Sequence, residues 1–350
     1  MSAPIIETDN WISGKYDMII DVRSPSEFSD DHIPNAVSLP VLSDIERAEV
    51  GTIYKQESSF LARKKGAALV ARNIAEHLDT KLKDMDSNFT PLIHCWRGGQ
   101  RSKAFAQICS AVGWKSYTLN GGYKNYRRAV LQGLKEIPAV LKFIVIAGRT
   151  GSGKTDILTA LSGKGAQVLD LENLAAHRGS LLGRIEDQPQ PSQRLFESNL
   201  YNTFLKFDPE RPVYVESESS RIGNIQLPSD IWQKIVSAPT ISISTPATAR
   251  ATYLLDGYNN LTRNLSDLNK LVSGMTNRHG YARTAFWQEL IKTEKWQTLA
   301  KDLLENHYDP AYDKSTLKHN RRVLAKIMQK NCGAECIEAT ATDILVMKTN

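Results

Sequence analysis

Cysteine is scarce in this chain, with four in 350 residues. That is too few for the disulfide framework of a secreted protein, and a reducing compartment is expected. Long apolar runs are lacking too. The longest, near Phe143–Ala147, falls far short of the about 20 residues a membrane-crossing helix needs. The opening Met1-Ser-Ala-Pro-Ile-Ile-Glu-Thr-Asp9 has no basic stretch followed by an apolar one, so no signal peptide is expected. There is no internal repeat and no low-complexity tract. These absences point to a folded cytoplasmic protein with no membrane partner.

What remains is ordinary globular composition, 41% hydrophobic and 23% charged, at a length that suits two domains. Net charge is +6. The first 138 residues carry 18 Lys and Arg against 16 Asp and Glu, so neither half is a strongly basic module. A nucleic-acid partner would have to be met by local patches.

The pattern is α/β. Strands are expected at Asp17–Val22, Pro91–Cys95 and Tyr117–Leu119, with helices at Ala67–Leu82 and from Ser102. The alternation pauses at Lys135–Pro138 and restarts with a strand at Leu141–Ala147. The boundary is therefore placed near Ile137, giving domains 1–137 and 138–350. Further strands are expected at Gln167–Leu171, Pro212–Glu216 and Pro239–Ser244. After Ala247 the chain reads as mainly helical, with a short closing strand at Cys336–Ala339. Alternating strands and helices imply parallel sheets.

Cys95 ends a predicted strand in Cys95-Trp-Arg97-Gly-Gly-Gln-Arg101-Ser102, and a helix follows. Loop N–H groups and a helix N-terminus favour negative charge, and Arg97 and Arg101 add positive charge. All of these favour the thiolate. Gly98 and Gly99 suit the left-handed turns of such a cradle. A plain core cysteine is the common alternative. That reading suits Cys109, on an apolar helix face, better than Cys95.

The second half opens with Gly148-Arg-Thr150-Gly151-Ser152-Gly153-Lys154-Thr155, a full match to G-x-x-x-x-G-K-[ST] between a strand and a helix. Its N–H groups should wrap a diphosphate, Lys154 should reach a terminal phosphate, and the Thr155 hydroxyl could hold Mg²⁺. Such a loop recognises a diphosphate and not a particular nucleoside. Val213-Tyr-Val-Glu216 resembles a Walker B strand with Glu in place of Asp. With Glu218 and Arg221 it forms a candidate polar site at a strand end. Cys332 and Cys336 lack further ligands at suitable spacing, so no metal site is expected there.

Asp21-Val-Arg-Ser-Pro-Ser-Glu27-Phe, His32-Ile-Pro-Asn-Ala36, the Cys95 loop and Gly121-Gly122-Tyr123 together resemble a rhodanese domain over about residues 10–130. Rhodanese domains carry sulfur as a cysteine persulfide. The spacing here is Cys-x5-Arg, one residue longer than the common sulfurtransferase loop. That length also occurs in rhodanese-fold phosphatases, so a phosphate-bearing substrate or a larger chalcogen is open. A rhodanese domain joined to a P-loop domain with a helical C-terminal part resembles the tRNA 2-selenouridine synthases. Asp170-Leu-Glu-Asn-Leu-Ala-Ala-His177-Arg-Gly-Ser180, Glu216-Ser-Glu-Ser and Tyr308-Asp-Pro-Ala-Tyr312 extend the resemblance over nearly the whole chain. Gln100 stands where that family often has an apolar residue.

The resemblance implies a substrate and a sequence of steps. The substrate is a tRNA for Lys, Glu or Gln with 2-thiouridine at the wobble position. Geranyl diphosphate alkylates the sulfur, and selenium from selenophosphate then replaces the S-geranyl group. Cys95 would handle the chalcogen and the P-loop the diphosphate, with no tightly bound cofactor. A rhodanese-fold phosphatase or sulfurtransferase coupled to a P-loop ATPase is the competing reading. Candidate RNA contacts are Arg63-Lys64-Lys65, Lys124 with Arg127-Arg128, Arg278-His279 with Arg283, and Lys318–Arg322 with Lys326. Tyr281, Trp287 and Trp296 are candidate stacking residues, although each Trp also suits a core.

Overall fold

The structure, a computed structural model, describes residues 2–12, 16–177, 189–217, 219–257, 265–317 and 321–347. Two five-stranded parallel sheets organise it. The first runs in the order Ile5–Thr8, Ser116–Leu119, Pro91–His94, Met18–Asp21 and Ala36–Ser38. The second runs Val323–Met328, Thr240–Ser244, Lys142–Gly148, Pro212–Glu216 and Gln167–Leu169. Central parallel strands are covered on both faces and read as continuous apolar runs. Accordingly every residue of Pro91–His94 is buried, as is Phe143–Gly148.

One face of the first sheet packs Ile20, Val22 and Ile93 under helices Ser59–Asp79 and Gln100–Val112, through Leu69, Ile74 and Phe105. The helix after Cys95 ends where Gly113 takes φ 112°, a left-handed stop that glycine adopts at little cost. In the second sheet Ile144, Ile146, Ile241 and Ile243 pack under helices Lys154–Gly163 and Ala334–Val346.

Helix Gly122–Val140 belongs to both halves. Tyr123 and Tyr126, near its start, share one core with Leu92 and Leu119 of the first sheet. Val130 and Leu134, further along, share that core with Phe143 and Val145 of the second sheet and with Phe196 and Leu200 of helix Gln193–Phe204. Position 137 thus falls in the last turns of a continuous helix.

Several strands differ from expectation, Ala36–Ser38 among them. The expected strand at Cys336–Ala339 lies inside helix Ala334–Val346, whose buried Ile337, Thr340, Ala341 and Ile344 recur at helical spacing. The strand that closes the second sheet is instead Val323–Met328. The edge strand Ile5–Thr8 was not foreseen, because its residues are largely exposed and show no alternation. Beyond Ala247 the described chain is helical up to residue 317, and Trp287, fully buried, centres a separate small core with Leu268, Val272 and Leu290. No described helix is long and apolar enough to cross a membrane.

Candidate functional site

Cys95 follows the central strand and precedes the Gln100–Val112 helix, as its motif requires. Its thiol is buried, at 3% exposed, more enclosed than the sequence suggests. The Gly99 N–H donates to Sγ at 3.2 Å, and Ser102 Oγ lies 3.3 Å away. Burial alone would push the thiol up. Hydrogen bonds from the Ser102 side chain and from the N–H groups of Ser102, Arg97 and Gly99 together outweigh it and hold Cys95 below the ordinary thiol range. Cys109 provides the contrast. It is fully buried, and burial pushes its thiol up to about 12.

The two arginines act differently from expectation. Arg97 is exposed and contributes its backbone N–H to the sulfur. Arg101 turns away to Glu27 at 3.0 Å, where Arg47 also pairs at 3.2 Å. Main-chain N–H groups and one hydroxyl therefore contact the sulfur, while Arg101 is held by Glu27 at the cavity beside the loop. Gly98 does take a positive φ, 65°, whereas Gly99 has φ −97°. The strictest demand falls on Gly122, with φ 57° and a Cβ position 2.3 Å from the Cys95 carbonyl. That closeness lets the Tyr123 N–H donate to Cys95 O at 2.8 Å and the Lys124 N–H to Trp96 O at 2.9 Å.

A cavity of about 400 Å³ opens beside the loop, lined by Trp96, Arg47, Arg101, Glu27, Asp30 and Arg194. Arg194 comes from the second half and pairs with Asp30 at 2.7 Å. Deeper in this junction Asp31, fully buried, accepts from Tyr123 at 2.6 Å and from Ser198 at 3.0 Å. Arg127, one of the expected RNA contacts, pairs with Glu197 there and is largely buried. Arg23 and Asp21, also buried, pair at 2.6 Å, and Arg23 lies 3.9 Å over the Tyr123 ring.

The second site is the loop from Gly148 to Thr155, between strand Lys142–Gly148 and helix Lys154–Gly163. Gly151 and Gly153 take φ 80° and 69°, as a phosphate-wrapping loop requires. Ser152 Oγ donates to the Arg149 carbonyl at 2.7 Å and closes the turn. Lys154 Nζ donates to Gly148 O at 2.9 Å, so its ammonium lies across the loop mouth. The Thr155 hydroxyl donates to Glu172 at 3.2 Å, and Glu216, at the end of its strand, accepts from the Glu172 N–H at 2.8 Å. Glu216 is thus brought to the loop through Glu172, a residue the sequence alone did not single out. Glu218 lies outside the described residues. Arg221 sits in a small hairpin, Arg221–Ile222 with Ile225–Gln226, and donates to Gly223 O at 3.0 Å. No hydrogen bond or ion pair among the described residues joins it to the P-loop.

The loop is braced from the C-terminal part. Arg250, 2% exposed, donates to Thr150 O at 3.0 Å and makes two bonds to Asp309. Arg149 pairs with Asp313 at 2.8 Å. Thr150 therefore supplies a carbonyl to the brace, and the Tyr308–Tyr312 motif holds the loop in shape. Of the stacking candidates, Trp287 is core, Trp296 is partly buried and Tyr281 is 87% exposed. Arg63, Lys64, Lys65, Lys124, Arg128, Arg278 and Lys326 are exposed, while Lys318 lies outside the described residues.

Comparisons with known proteins give two family matches, a rhodanese-like domain over residues 6–129 and a tRNA 2-selenouridine synthase AAA domain over residues 141–288. Among curated relatives, the tRNA 2-selenouridine synthase of Bdellovibrio bacteriovorus is 38% identical over 69% of this chain and 64% of its own length. That of Nitrosomonas europaea is 36% identical over 69% of this chain and 63% of its own length, so these two matches span less than two thirds of those relatives. That of Shewanella denitrificans is 33% identical over 88% of this chain and 90% of its own length. With both halves matched in order and one relative followed almost end to end, this chain belongs to the tRNA 2-selenouridine synthase family.

Proposed function

We propose that the chain is a tRNA-modifying transferase that turns 2-thiouridine at the wobble position of tRNAs for Lys, Glu and Gln into 2-selenouridine. In this reading geranyl diphosphate first alkylates the sulfur, and selenium from selenophosphate then displaces the S-geranyl group. The supporting observation is the pairing of a thiolate-favouring cradle with a P-loop, joined by one helix in a chain whose relatives carry that name.

The two sites divide the work. Prenyl transfer needs a diphosphate leaving group neutralised as its charge grows, which Lys154 and the loop N–H groups do electrostatically. A magnesium ion would be held by the Thr155 hydroxyl and the Glu172 carboxylate, hard oxygen donors of the kind it takes, and would add to that neutralisation. Selenium transfer needs a soft anion held beside the base, and Cys95, in its cradle of N–H donors, would guide the selenium of selenophosphate to C2 as its phosphate passes to water. Alkylation comes first because a thioether sulfur leaves more readily than a thiocarbonyl sulfur.

The test is to incubate the protein with 2-thiouridine tRNA and geranyl diphosphate, with and without selenophosphate, and read the nucleosides by mass. S-geranyl-2-thiouridine without selenophosphate and 2-selenouridine with it are expected. Cys95-dependent release of phosphate from a monoester, with no change in tRNA mass, would favour the phosphatase reading instead.

A further inference from the structure

A second cavity, of about 600 Å³, opens against the P-loop at Gly148, Arg149 and Ser152. That size lies within the roughly 300–1,000 Å³ typical of small-ligand pockets. Thr240, Ser242, Ile243 and Ser244 of one strand line it, with Ala147, Val323 and Met328 adding apolar surface, while Ile241 turns to the core beneath helix Ala334–Val346. We propose that this cavity seats an unpaired nucleotide of an RNA chain, and that it is the acceptor site for prenyl transfer. The inference rests on the reading above that the P-loop holds the diphosphate of the donor.

Three observations point to that ligand. Thr240 and Thr245 are 5% and 8% exposed, and neither hydroxyl has a hydrogen-bond partner within the protein. Buried hydroxyls without partners are costly, so the occupant should present polar edges. The charge is basic, with Arg321 and Lys326 beside the Arg149–Asp313 pair, which suits phosphate. Tyr312 adds an aromatic wall on which an unstacked base could lie. In the step assigned here, the 2-thiouridine sulfur bonds to C1 of the geranyl group. The C1–O bond breaks, its electron pair leaves with the diphosphate, and the N3 proton of the base passes to water.

The experiment uses the full chain, a fluorescein-labelled anticodon stem-loop carrying 2-thiouridine, and two variants, Lys326→Glu and Ser242→Tyr. RNA affinity is read by anisotropy, pyrophosphate affinity by calorimetry and S-geranylation by mass. Lys326→Glu should weaken RNA binding about tenfold and flatten its salt dependence, with pyrophosphate affinity unchanged. Ser242→Tyr should lower geranylation about tenfold or more by filling the cavity. Because Lys326 is exposed, its variant keeps the test open even if Ser242→Tyr fails to fold. Wild-type RNA affinity and geranylation in both variants would overturn the acceptor site while leaving the proposed function standing. Lost geranyl diphosphate binding with normal RNA affinity in Ser242→Tyr would assign the cavity to the tail and overturn the proposal. If the unaltered protein neither bound the RNA nor alkylated it, the underlying reading would fall first.

Discussion

Arg250 and Asp309 meet through two parallel hydrogen bonds, Nη1 to Oδ1 at 2.9 Å and Nη2 to Oδ2 at 2.7 Å, and the same guanidinium holds the Thr150 carbonyl at 3.0 Å. The conformation of the P-loop therefore depends on a residue of the distant Tyr308–Tyr312 motif. Removing one partner of a buried pair leaves an uncompensated charge, at a cost of about 3–5 kcal/mol. Asp309→Ala should lower the urea midpoint accordingly and weaken pyrophosphate binding along with it. An unchanged midpoint would mean that the brace contributes nothing.

Lys154 should matter to ligand binding and little to folding. Its ammonium sits across the loop mouth, ready to leave the Gly148 carbonyl for a phosphate. Lys154→Met removes a charge-assisted bond of about 1.5–3 kcal/mol, so pyrophosphate should bind roughly ten- to a hundredfold more weakly by calorimetry. The thermal midpoint should stay near that of the unaltered chain.

The Cys95 thiol gives a pH signature. Its pKa is depressed in the folded chain, so the thiolate persists as pH falls below the ordinary thiol range and is lost only as pH passes through the folded value. Iodoacetamide labelling of Cys95, followed by peptide mass, should therefore titrate below a free cysteine. Its plateau should be slow, because the sulfur is 3% exposed. Ser102→Ala withdraws one donor from the thiolate and should move that titration to higher pH. A titration unmoved by Ser102→Ala would assign the depression to the backbone alone.

Gly122→Ala should damage the cradle without touching the sulfur. A left-handed residue other than glycine costs about 1–2 kcal/mol, before counting the overlap of its Cβ with the Cys95 carbonyl and the Gly98 nitrogen. A lower thermal midpoint is expected, with Cys95 labelling that resembles an ordinary thiol. Gly99→Ala, at φ −97° and with open space around its Cβ position, should do far less.

Both reactive loops were legible in the sequence because each is contiguous. Cys95–Ser102 and Gly148–Thr155 carry their glycines, their nucleophile or cation and their flanking strand and helix within a few residues. What escaped was assembled across distance. Arg250 reaches Thr150 from 100 residues away, and Glu172 bridges Thr155 to Glu216. No local pattern marks an arginine or a glutamate for such a role. The pairing of Arg101 with Glu27 was hidden for the same reason, since Glu27 lies 74 residues earlier. The expected strand at Cys336–Ala339 came from too short a window. Four residues cannot separate a period of two from one of 3.6, whereas Ile337, Ala341 and Ile344 together can.

Helix Gly122–Val140 starts against the carbonyl of Cys95, and a single residue separates its end from the strand that carries the P-loop. Nineteen residues of helix measure roughly 28 Å at 1.5 Å each, and the rod is clamped by packing along its length. It joins the two sheets as a packed splint and not as a free linker. Each loop is thereby anchored to its own sheet, with the shared helix as the strut between the two. Loosening its middle turns, at Val130 or Leu134, would therefore be felt in both sheets at once.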